Sequence, residues 1–351
     1  MSSLQIKVEN FLTDLLCGDL QQNLINQHLL SAVVPLQAGK VLAFEADDPN
    51  QIEALFQDAD IRIIPLEGGA FRAKMKTATI GTLQLHHVSV TSKILTEGTT
   101  ADCSTSLIFP SNSGGPLTFQ GMTLAADEIM LHGPKAQHCA VGAACEISVI
   151  VLPTNLLEME LSACINCSPF DFHAQSYRIR MNTDFVLAFR KLILDALQIF
   201  KSTSFSESMD RVGNEFECSL LAVLCSGLTL SCVSSNPEIK QNIPAIQIIR
   251  KAREFFEHSG DRPVYLGELC RVTQAGARTL QIAFSEVLGV SPMRYLKLRR
   301  LHRVRCQLLS SSHSEINVKM AALQAGFWDL SRFAIDYKSV FNELPSQTPR
   351  S

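Results

Sequence analysis

Two side chains toward the C-terminal end, Arg278 and Gln281, have the hydrogen-bonding groups that distinguish base pairs. An arginine binds guanine through two hydrogen bonds, and a glutamine binds adenine in the same way. The two residues stand three positions apart, so on a helix they lie on one face. The spacing therefore indicates a surface that contacts double-stranded DNA, provided that a helix presents this pair to solvent.

The helix that would present this pair belongs to an internal repeat. Equivalent positions of the two copies lie 53 residues apart, as Leu280 and Phe333 do. The repeat pairs Leu280 with Phe333, Phe284 with Tyr337, Val287 with Val340, Leu288 with Phe341, Gly289 with Asn342 and Pro292 with Pro345. In each copy an apolar residue and an aromatic one lie a helical turn apart. Gly or Asn then suits a left-handed C-cap, and Pro prevents continuation. Each copy is predicted to be a helix-turn-helix.

The whole C-terminal region has helical periodicity. The predicted helices cover Pro244 to Glu257, Pro263 to Val272, Ala277 to Leu288, Pro292 to Leu309, Glu315 to Gln324 and Asp329 to Phe341. We expect an all-α domain over 244–351, with helix-turn-helix units at about 263–288 and 315–341. Residues 240–351 contain 17 Lys and Arg against 9 Asp and Glu, whereas residues 1–239 contain 14 against 25. A basic module on an acidic body is typical of a polyanion binder.

Residues 36–155 have a different pattern, in which short apolar runs are separated by turn-forming residues. The runs are Ile61 to Pro65, Thr79 to Val90, Ser106 to Phe109, Glu128 to Leu131 and Glu146 to Leu152. Many short strands with regular turns predict an antiparallel barrel or sandwich, here a cupin-like β-barrel, and the fold class is α+β. The inside of a small barrel has room for one small ligand.

Helices are also predicted over residues 1–35 and about 182–233, where apolar residues recur with helical spacing. The second stretch contains two amphipathic helices with a polar turn, Ser202 to Ser208, between them. They pack on the barrel or pair with a second subunit, so a homodimer is left open. Residues 1–233 are predicted to form a sensory domain, and the polar stretch 234–243 is its linker to the DNA-binding domain.

The repeat carries a resemblance to a known family. The matching residues are Leu269-Cys270, Arg278-Thr279-Leu280-Gln281, Phe284, Leu288-Gly289-Val290-Ser291-Pro292, Ala322, Ala325-Gly326-Phe327, Phe333 and Tyr337-Lys338. Through them, residues 245 to 346 resemble the DNA-binding domain of AraC/XylS-type transcription regulators. The runs Gly326-Phe327-Trp328 and Leu344-Pro345-Ser346 are similar to the ethanolamine-operon-regulator subgroup. The resemblance implies two helix-turn-helix units joined by one long helix, with recognition helices in successive major grooves.

The family's motif also implies which residues meet DNA. The first recognition helix presents Ala277, Arg278, Gln281 and Ile282, and the second presents Leu330, Ser331, Ala334 and Ile335. Phosphate contacts are expected from Arg299, Arg300, Arg303 and Lys338. The second helix offers mainly apolar contact, and Asp329 and Asp336 repel phosphate unless the protein pairs them. Sequence specificity is therefore expected mainly from the first unit, and Trp328 is expected to pack inside the second.

The implied function is a transcription regulator that controls a neighbouring operon in response to an unidentified small-molecule effector. Its expected partners are double-stranded DNA, the effector and, for an activator, RNA polymerase. We expect no catalytic residue, cofactor or metal. No signal peptide or membrane-length apolar run is visible, so we expect a cytoplasmic protein without a membrane partner. The eleven cysteines indicate reduced thiols, and the Cys164–Cys167 pair lacks the second pair that zinc needs.

Two other classes of function are weighed against a regulator. A metal-dependent barrel enzyme would use His86, His87, His132 and His138 of the strand region. Adjacent histidines such as His86 and His87 point to opposite faces of a strand, however, which disfavours a shared metal. The other alternative is a pure interaction protein that uses its paired helices to bind protein partners.

Overall fold

The structure, a computed structural model, describes residues 42–54, 56, 59–111, 114–164, 172–201, 209–234, 243–259, 262, 264–310 and 317–348. Its strands are β1 Leu42–Ala46, β2 Asp60–Pro65, β3 Ala73–Ile80, β4 Leu83–Val90, β5 Lys93–Thr99, β6 Ser104–Pro110, β7 Leu117–Phe119, β8 Met122–Thr123, β9 Glu128–His132, β10 Gln137–Ala143, β11 Glu146–Pro153 and β12 Ser176–Arg180. The strand-rich character predicted for residues 36–155 is confirmed in its described part. The helix predicted over 1–35, the turn at 202–208 and most of the linker lie outside the described residues.

The helices alternate with and then follow the strands. They are α1 Pro49–Glu53, α2 Thr154–Cys164, α3 Thr183–Lys201, α4 Met209–Ser234, α5 Ile243–His258, α6 Leu266–Thr273, α7 Ala277–Leu288, α8 Pro292–Ser310, α9 Val318–Gln324 and α10 Leu330–Phe341. The helices predicted beyond residue 244 agree with α5 to α10 to within a few residues. Sequence periodicity missed α1 and α2, which are too short or too weakly amphipathic to stand out.

The strands form two antiparallel sheets. The large sheet has the order β1-β3-β4-β11-β6-β9-β12, and the small sheet has the order β2-β5-β10-β7-β8. The α+β class is confirmed, but the sheets are not closed into a barrel, because among the described strands those at the ends of each sheet pair on one side only. Alternation of apolar and polar residues is the same in a barrel and in two facing sheets, so it did not separate these architectures.

Alternating side chains of the small sheet face two different layers. On β5, Ile94 and Thr96 point toward the large sheet and line a cavity, whereas Leu95 lies on the opposite face. Leu95 packs in one core with the C-terminal helices. The small sheet is therefore a shared wall between the space inside the N-terminal region and the helix-turn-helix region.

The outer face of the large sheet is covered by helices α2 to α4. Phe109 of β6 packs on Phe189 of α3, with ring centroids 5.2 Å apart, and Phe185 stacks on Phe189 at 5.6 Å. Leu220 and Leu224 of α4 complete this core. The apolar stripes of α3 and α4 are thus used for packing within the chain, and the homodimer stays a prediction.

Within the part of the chain that the structure describes, no helix is long and apolar enough to cross a membrane. Seven cysteines with described side chains are free thiols, namely Cys103, Cys139, Cys145, Cys218, Cys225, Cys270 and Cys306. Cys167 lies outside the described residues, so the Cys164–Cys167 pair stays untested.

Candidate nucleic-acid interface and internal cavity

The first helix-turn-helix unit consists of α6 and α7. Helix α6 ends at Gln274, which has a left-handed φ of 57°, and Gly276 is the N-cap of α7. Gly289 ends α7 with a φ of 68°, which glycine adopts without a steric cost. The turn between the helices is short, so the two helices pack closely around Leu269, Leu280 and other buried residues.

The second unit, α9 and α10, repeats this construction with different caps. Asp329 is the N-cap of α10, and its carboxylate accepts a hydrogen bond from the backbone N–H of Arg332 at 2.9 Å. Asn342 ends α10 with a φ of 59°, at the position equivalent to Gly289. The left-handed C-caps predicted from the repeat are therefore present in both copies.

The N-terminal end of α7 is open to solvent. Ala277, Arg278, Gln281 and Ile282 are all exposed, whereas Leu280, Ala283 and Phe284 are buried on the opposite face. This end of a recognition helix is the part that contacts base edges in helix-turn-helix proteins. The structure thus presents the predicted pair, Arg278 and Gln281, on one accessible surface.

The equivalent surface of α10 is more apolar and less accessible. Ser331 is exposed and Ile335 is 62% exposed, whereas Leu330 and Ala334 are half-buried. Leu330 packs against the core of the C-terminal region. Trp328, in the turn before α10, is 71% exposed, so the expectation that it packs inside the second unit is wrong. Phe327 fills that place instead, with its ring centroid 5.0 Å from that of Phe333.

Asp329 and Asp336, which would repel phosphate if they were unpaired, both have partners within the protein. Asp329 caps α10, as described above, and Asp336 Oδ1 lies 3.1 Å from Lys297 Nζ. Asp336 Oδ2 also lies 3.6 Å from Arg332 Nε, one helical turn away. Both carboxylates thus have partners within the protein, and the pair of Asp336 with Lys297 joins α10 to α8.

The basic residues of α8 do not form one free stripe. Arg299, expected at a phosphate, has a side chain that is 13% exposed and lies beside Glu97 of β5. Arg300 donates a hydrogen bond to the carbonyl of Arg262 at 2.8 Å, and Arg303 is exposed. Lys338 of α10 is exposed as well. Arg299 was expected to contact phosphate, but it is paired with Glu97 on a strand of the small sheet. The sequence near Arg299 does not reveal this partner.

A cluster of charges around Glu97 joins the small sheet to the C-terminal helices. The carboxylate is fully buried, and its Oε2 accepts a hydrogen bond from the Tyr295 hydroxyl at 2.5 Å. Its Oε1 lies 3.3 Å from Arg299 Nε, and Arg253 Nε lies 3.5 Å from Oε2. Burial alone would raise the pKa of Glu97, but the neighbouring guanidinium groups outweigh it and hold the pKa below its usual value.

A second cluster lies at the other end of α8. Arg305 donates from Nε to Asp48 Oδ2 at 2.8 Å and from Nη1 to Glu343 Oε1 at 2.6 Å. Asp48 is also the N-cap of α1, where it accepts from the N–H of Asn50. Burial would raise the pKa of Asp48, and the hydrogen bonds from Arg305 lower it instead. Two acidic residues of the N-terminal region, Glu97 and Asp48, therefore bind α8 near its two ends.

The C-terminal halves of α7 and α10 approach the N-terminal region. A Cβ added to Gly121 would lie 3.2 Å from a methyl group of Val287 in α7. A Cβ added to Gly68 would lie 2.2 Å from the carbonyl oxygen of Ser339 in α10, which leaves no room for any other residue. The docked arrangement thus covers the C-terminal ends of these helices and leaves their N-terminal ends accessible.

An internal cavity of about 300 Å³ lies between the two sheets. The large sheet contributes residues such as Val88 and Val149, and the small sheet contributes Ile63 and Thr96. Phe56, which follows α1, and Phe119 of β7 add aromatic surface. The cavity has the size and apolar walls of a small-molecule site.

Two histidines line this cavity, His132 from the large sheet and His138 from the small one. Their ring centroids are 5.8 Å apart. His132 Nδ1 is hydrogen-bonded to the Ser176 hydroxyl at 2.6 Å, while His132 Nε2 and His138 Nδ1 are buried and have no hydrogen-bond partner among the described residues. Burial lowers the pKa of His132 to about 3 and that of His138 to about 4, so both are neutral at physiological pH.

The four strand-region histidines do not come together as a metal site. His86 Nδ1 pairs with the Thr77 hydroxyl at 2.8 Å, and His87 Nε2 lies 3.3 Å from Glu146 Oε1. Among the described residues, the one group with metal-ligand spacing is Glu53, His302 and Cys306, whose ligand atoms lie within 4.8 Å of one another. This group involves none of the histidines that the enzyme hypothesis needed.

The comparisons with known proteins agree with this geometry. The family described as "Helix-turn-helix domain" matches residues 269–351. The XylDLEGF operon transcriptional activator 2 of Pseudomonas putida is 32% identical over 119 residues, which cover 34% of this chain and 76% of that protein. The probable thc operon regulatory protein of Rhodococcus erythropolis is 32% identical over 114 residues, covering 32% of this chain and 34% of that protein. The chain thus spans about a third of the length of this second relative.

A solved structure, that of a probable AraC family transcriptional regulator from Rhodopseudomonas palustris CGA009, is 35% identical to this chain. It covers 29% of this chain and 93% of its own, with a TM-score of 0.27. The paired short helices, together with the family match over residues 269–351 and the Pseudomonas putida relative, define a helix-turn-helix DNA-binding protein. More narrowly, the chain belongs to the AraC/XylS family of transcription regulators.

Proposed function

We propose that the protein is a sequence-specific DNA-binding transcription regulator whose first recognition helix contacts base edges. The observation that supports this most directly is the exposed pair of Arg278 and Gln281 at the N-terminal end of α7. Both side chains can form the paired hydrogen bonds that distinguish guanine and adenine. Ala277 and Ile282 flank them, are exposed, and are proposed to contact thymine methyl groups.

The second recognition helix adds mainly affinity. Ser331 and Ile335 are its accessible residues, and Lys338, Arg303 and Arg300 are proposed to contact phosphates. Leu330 and Ala334, which are half-buried, contribute to packing more than to contact with DNA. Specificity is accordingly assigned to the first unit.

The cavity between the sheets is proposed as the effector site, and the small sheet as the element that transmits occupancy. Thr96 and His138 face the cavity, while their chain neighbours Glu97 and Cys139 face the C-terminal helices. A ligand that displaces β5 or β10 by a fraction of an ångström changes the docking of α8. Such a ligand regulates DNA binding only if it prefers one of the two arrangements.

The protein is further proposed to act in the cytoplasm on an operon near its own gene. A second copy of the chain and, for an activator, RNA polymerase are the predicted protein partners. No metal, cofactor or catalytic residue enters this proposal.

Selection of binding sites from a random-sequence DNA pool tests the proposed function. We expect enrichment of one motif, and gel-shift titrations in which that motif binds about 10³-fold or more tightly than scrambled DNA at physiological salt. Equal affinity for all sequences, or no binding at low salt, would contradict a regulator and favour a pure interaction protein.

A further inference from the structure

The walls of the cavity between the sheets limit the kind of molecule that it accepts. Among the described residues that line it, none is Lys, Arg, Asp or Glu. The polar groups of the lining are hydroxyls, one amide, the Cys145 thiol and the two histidines. Burying an ionised carboxylate or ammonium without a partner of opposite charge has a large free-energy cost. The lining therefore disfavours charged ligands of either sign.

The volume sets the size of the ligand. An engineered cavity of about 150 Å³ in another protein binds a single benzene ring. The present cavity, at about 300 Å³, has space for roughly two fused rings. Ile63, Val88 and Phe119, which come from both sheets, provide apolar surface for such a framework.

The paired histidines supply a position for one polar group. His132 and His138 come from opposite sheets, and each has a buried ring nitrogen to which the described part of the chain offers no hydrogen-bond partner. Such unsatisfied groups are rare in folded proteins, because leaving a buried donor or acceptor unpaired costs about 1–3 kcal/mol. A hydroxyl or carbonyl of a ligand between the rings would satisfy them without bringing in a charge.

We infer that the cavity binds an uncharged, mainly apolar molecule of about two rings, whose single hydroxyl or carbonyl group hydrogen-bonds to His132 and His138. This inference rests on the proposed function, since it treats the cavity as the effector site. It adds the chemical class of the ligand and the residues that select it.

The test uses the full-length protein and four compounds built on one framework, which are 1-indanol, indane, indane-1-carboxylate and 1-aminoindane. Isothermal titration calorimetry gives the affinity of each, and a rise in Tm on thermal unfolding shows that the compound binds the folded protein. We expect 1-indanol to bind about tenfold or more tightly than either charged analogue, and more tightly than indane. Tighter binding of the carboxylate or the ammonium, or no binding of 1-indanol, overturns the inference.

A variant separates the histidine contact from simple hydrophobic binding. His138→Leu keeps an apolar side chain in the wall, so we expect indane to bind as before and the preference for 1-indanol to disappear. His258→Leu, an exposed histidine of α5, is the matched control and leaves both affinities unchanged. An undiminished preference for 1-indanol in His138→Leu would also overturn the inference.

Gel-shift titrations on the same preparations separate this inference from the proposed function. Sequence-specific DNA binding by a protein that does not bind 1-indanol overturns the ligand class and leaves the regulator standing. Binding of 1-indanol by a protein that binds all DNA sequences equally supports the ligand class and overturns the proposed regulator function.

Discussion

Tyr295 donates a hydrogen bond from its phenol to the Glu97 carboxylate at 2.5 Å, and this bond joins helix α8 to strand β5. Both side chains are fully buried. Thr96, next to Glu97, lines the cavity on the other face of the same strand. Helix α8, which connects the two helix-turn-helix units, therefore contacts β5 at the residue next to one that lines the proposed effector site.

Tyr295→Phe removes this hydrogen bond and leaves the ring packing in place. We expect a loss of about 1.5–3 kcal/mol in the free energy of unfolding, because the lost bond involves a charged acceptor. Urea denaturation measures it. Tyr265→Phe changes a tyrosine that is 68% exposed and serves as the matched control, with an expected change within about 0.5 kcal/mol. Equal losses in the two variants would show that the buried bond contributes nothing specific.

The pairing of Asp336 predicts an effect of charge on DNA affinity. Asp336→Asn removes the acidic partner of Lys297 and Arg332, which are then available to phosphates. We expect tighter binding to every sequence and a salt dependence steeper by up to about 0.9 in log–log slope for each additional phosphate that is neutralised. Asp102→Asn breaks a comparable pair with Lys135 on the N-terminal region and should leave both quantities unchanged.

The buried histidines predict loss of stability in mild acid. Burial lowers the pKa of His86 to about 4, of His132 to about 3 and of His138 to about 4, against about 6.5 in the unfolded chain. The unfolded state therefore binds more protons below pH 6.5, and stability falls as the pH drops from there toward 4. Each histidine contributes a slope of up to about 1.4 kcal/mol per pH unit.

Urea denaturation at pH 6.5, 6.0, 5.5 and 5.0 measures this slope. His86→Asn keeps a hydrogen-bonding group near Thr77 but does not titrate, so the slope should fall by about one histidine's share. His258→Asn, on the exposed surface of α5, should leave it unchanged. A slope in His86→Asn equal to that of the natural sequence would contradict a buried, neutral His86.

The two C-caps of the repeat predict opposite responses to substitution. Gly289 and Asn342 have left-handed φ values of 68° and 59°. Gly289→Ala should cost about 1–2 kcal/mol, because a Cβ is unfavourable in this conformation. Asn342→Gly should be neutral or stabilising by less than about 1 kcal/mol. Thermal unfolding of both variants is the check, and a stabilising Gly289→Ala would refute the cap assignment.

The sequence predicted the helical half of the molecule well because its signals are local. Periodicity, the glycine and asparagine caps and the prolines after them determine where α7 and α10 begin and end. The exposure of Arg278 and Gln281 follows from the same pattern, since Leu280 and Phe284 fix the buried face. These features need no knowledge of distant residues.

The sequence could not predict contacts between residues far apart in the chain. Arg299 was predicted to contact phosphate, yet Glu97 binds it from a strand about 200 positions away in the chain. Asp48 binds Arg305 of the same helix from an element that is more distant still. The position of Trp328 was also missed, because either of two neighbouring aromatic residues could fill the core and Phe327 does so. The pairing of His132 with His138 depends on how two sheets face each other, which alternation along a strand does not specify.

The central claim is that Arg278 and Gln281 of α7 determine which DNA sequence is bound. The most direct measurement is competition fluorescence polarisation on the selected site and on all its single-base variants, for Arg278→Ala, Gln281→Ala and the control Arg303→Ala. We predict that the first two lose about 1–3 kcal/mol on the preferred site and become indifferent to one base pair each, while Arg303→Ala weakens all sequences equally. Equal, sequence-independent losses in all three variants would contradict this account.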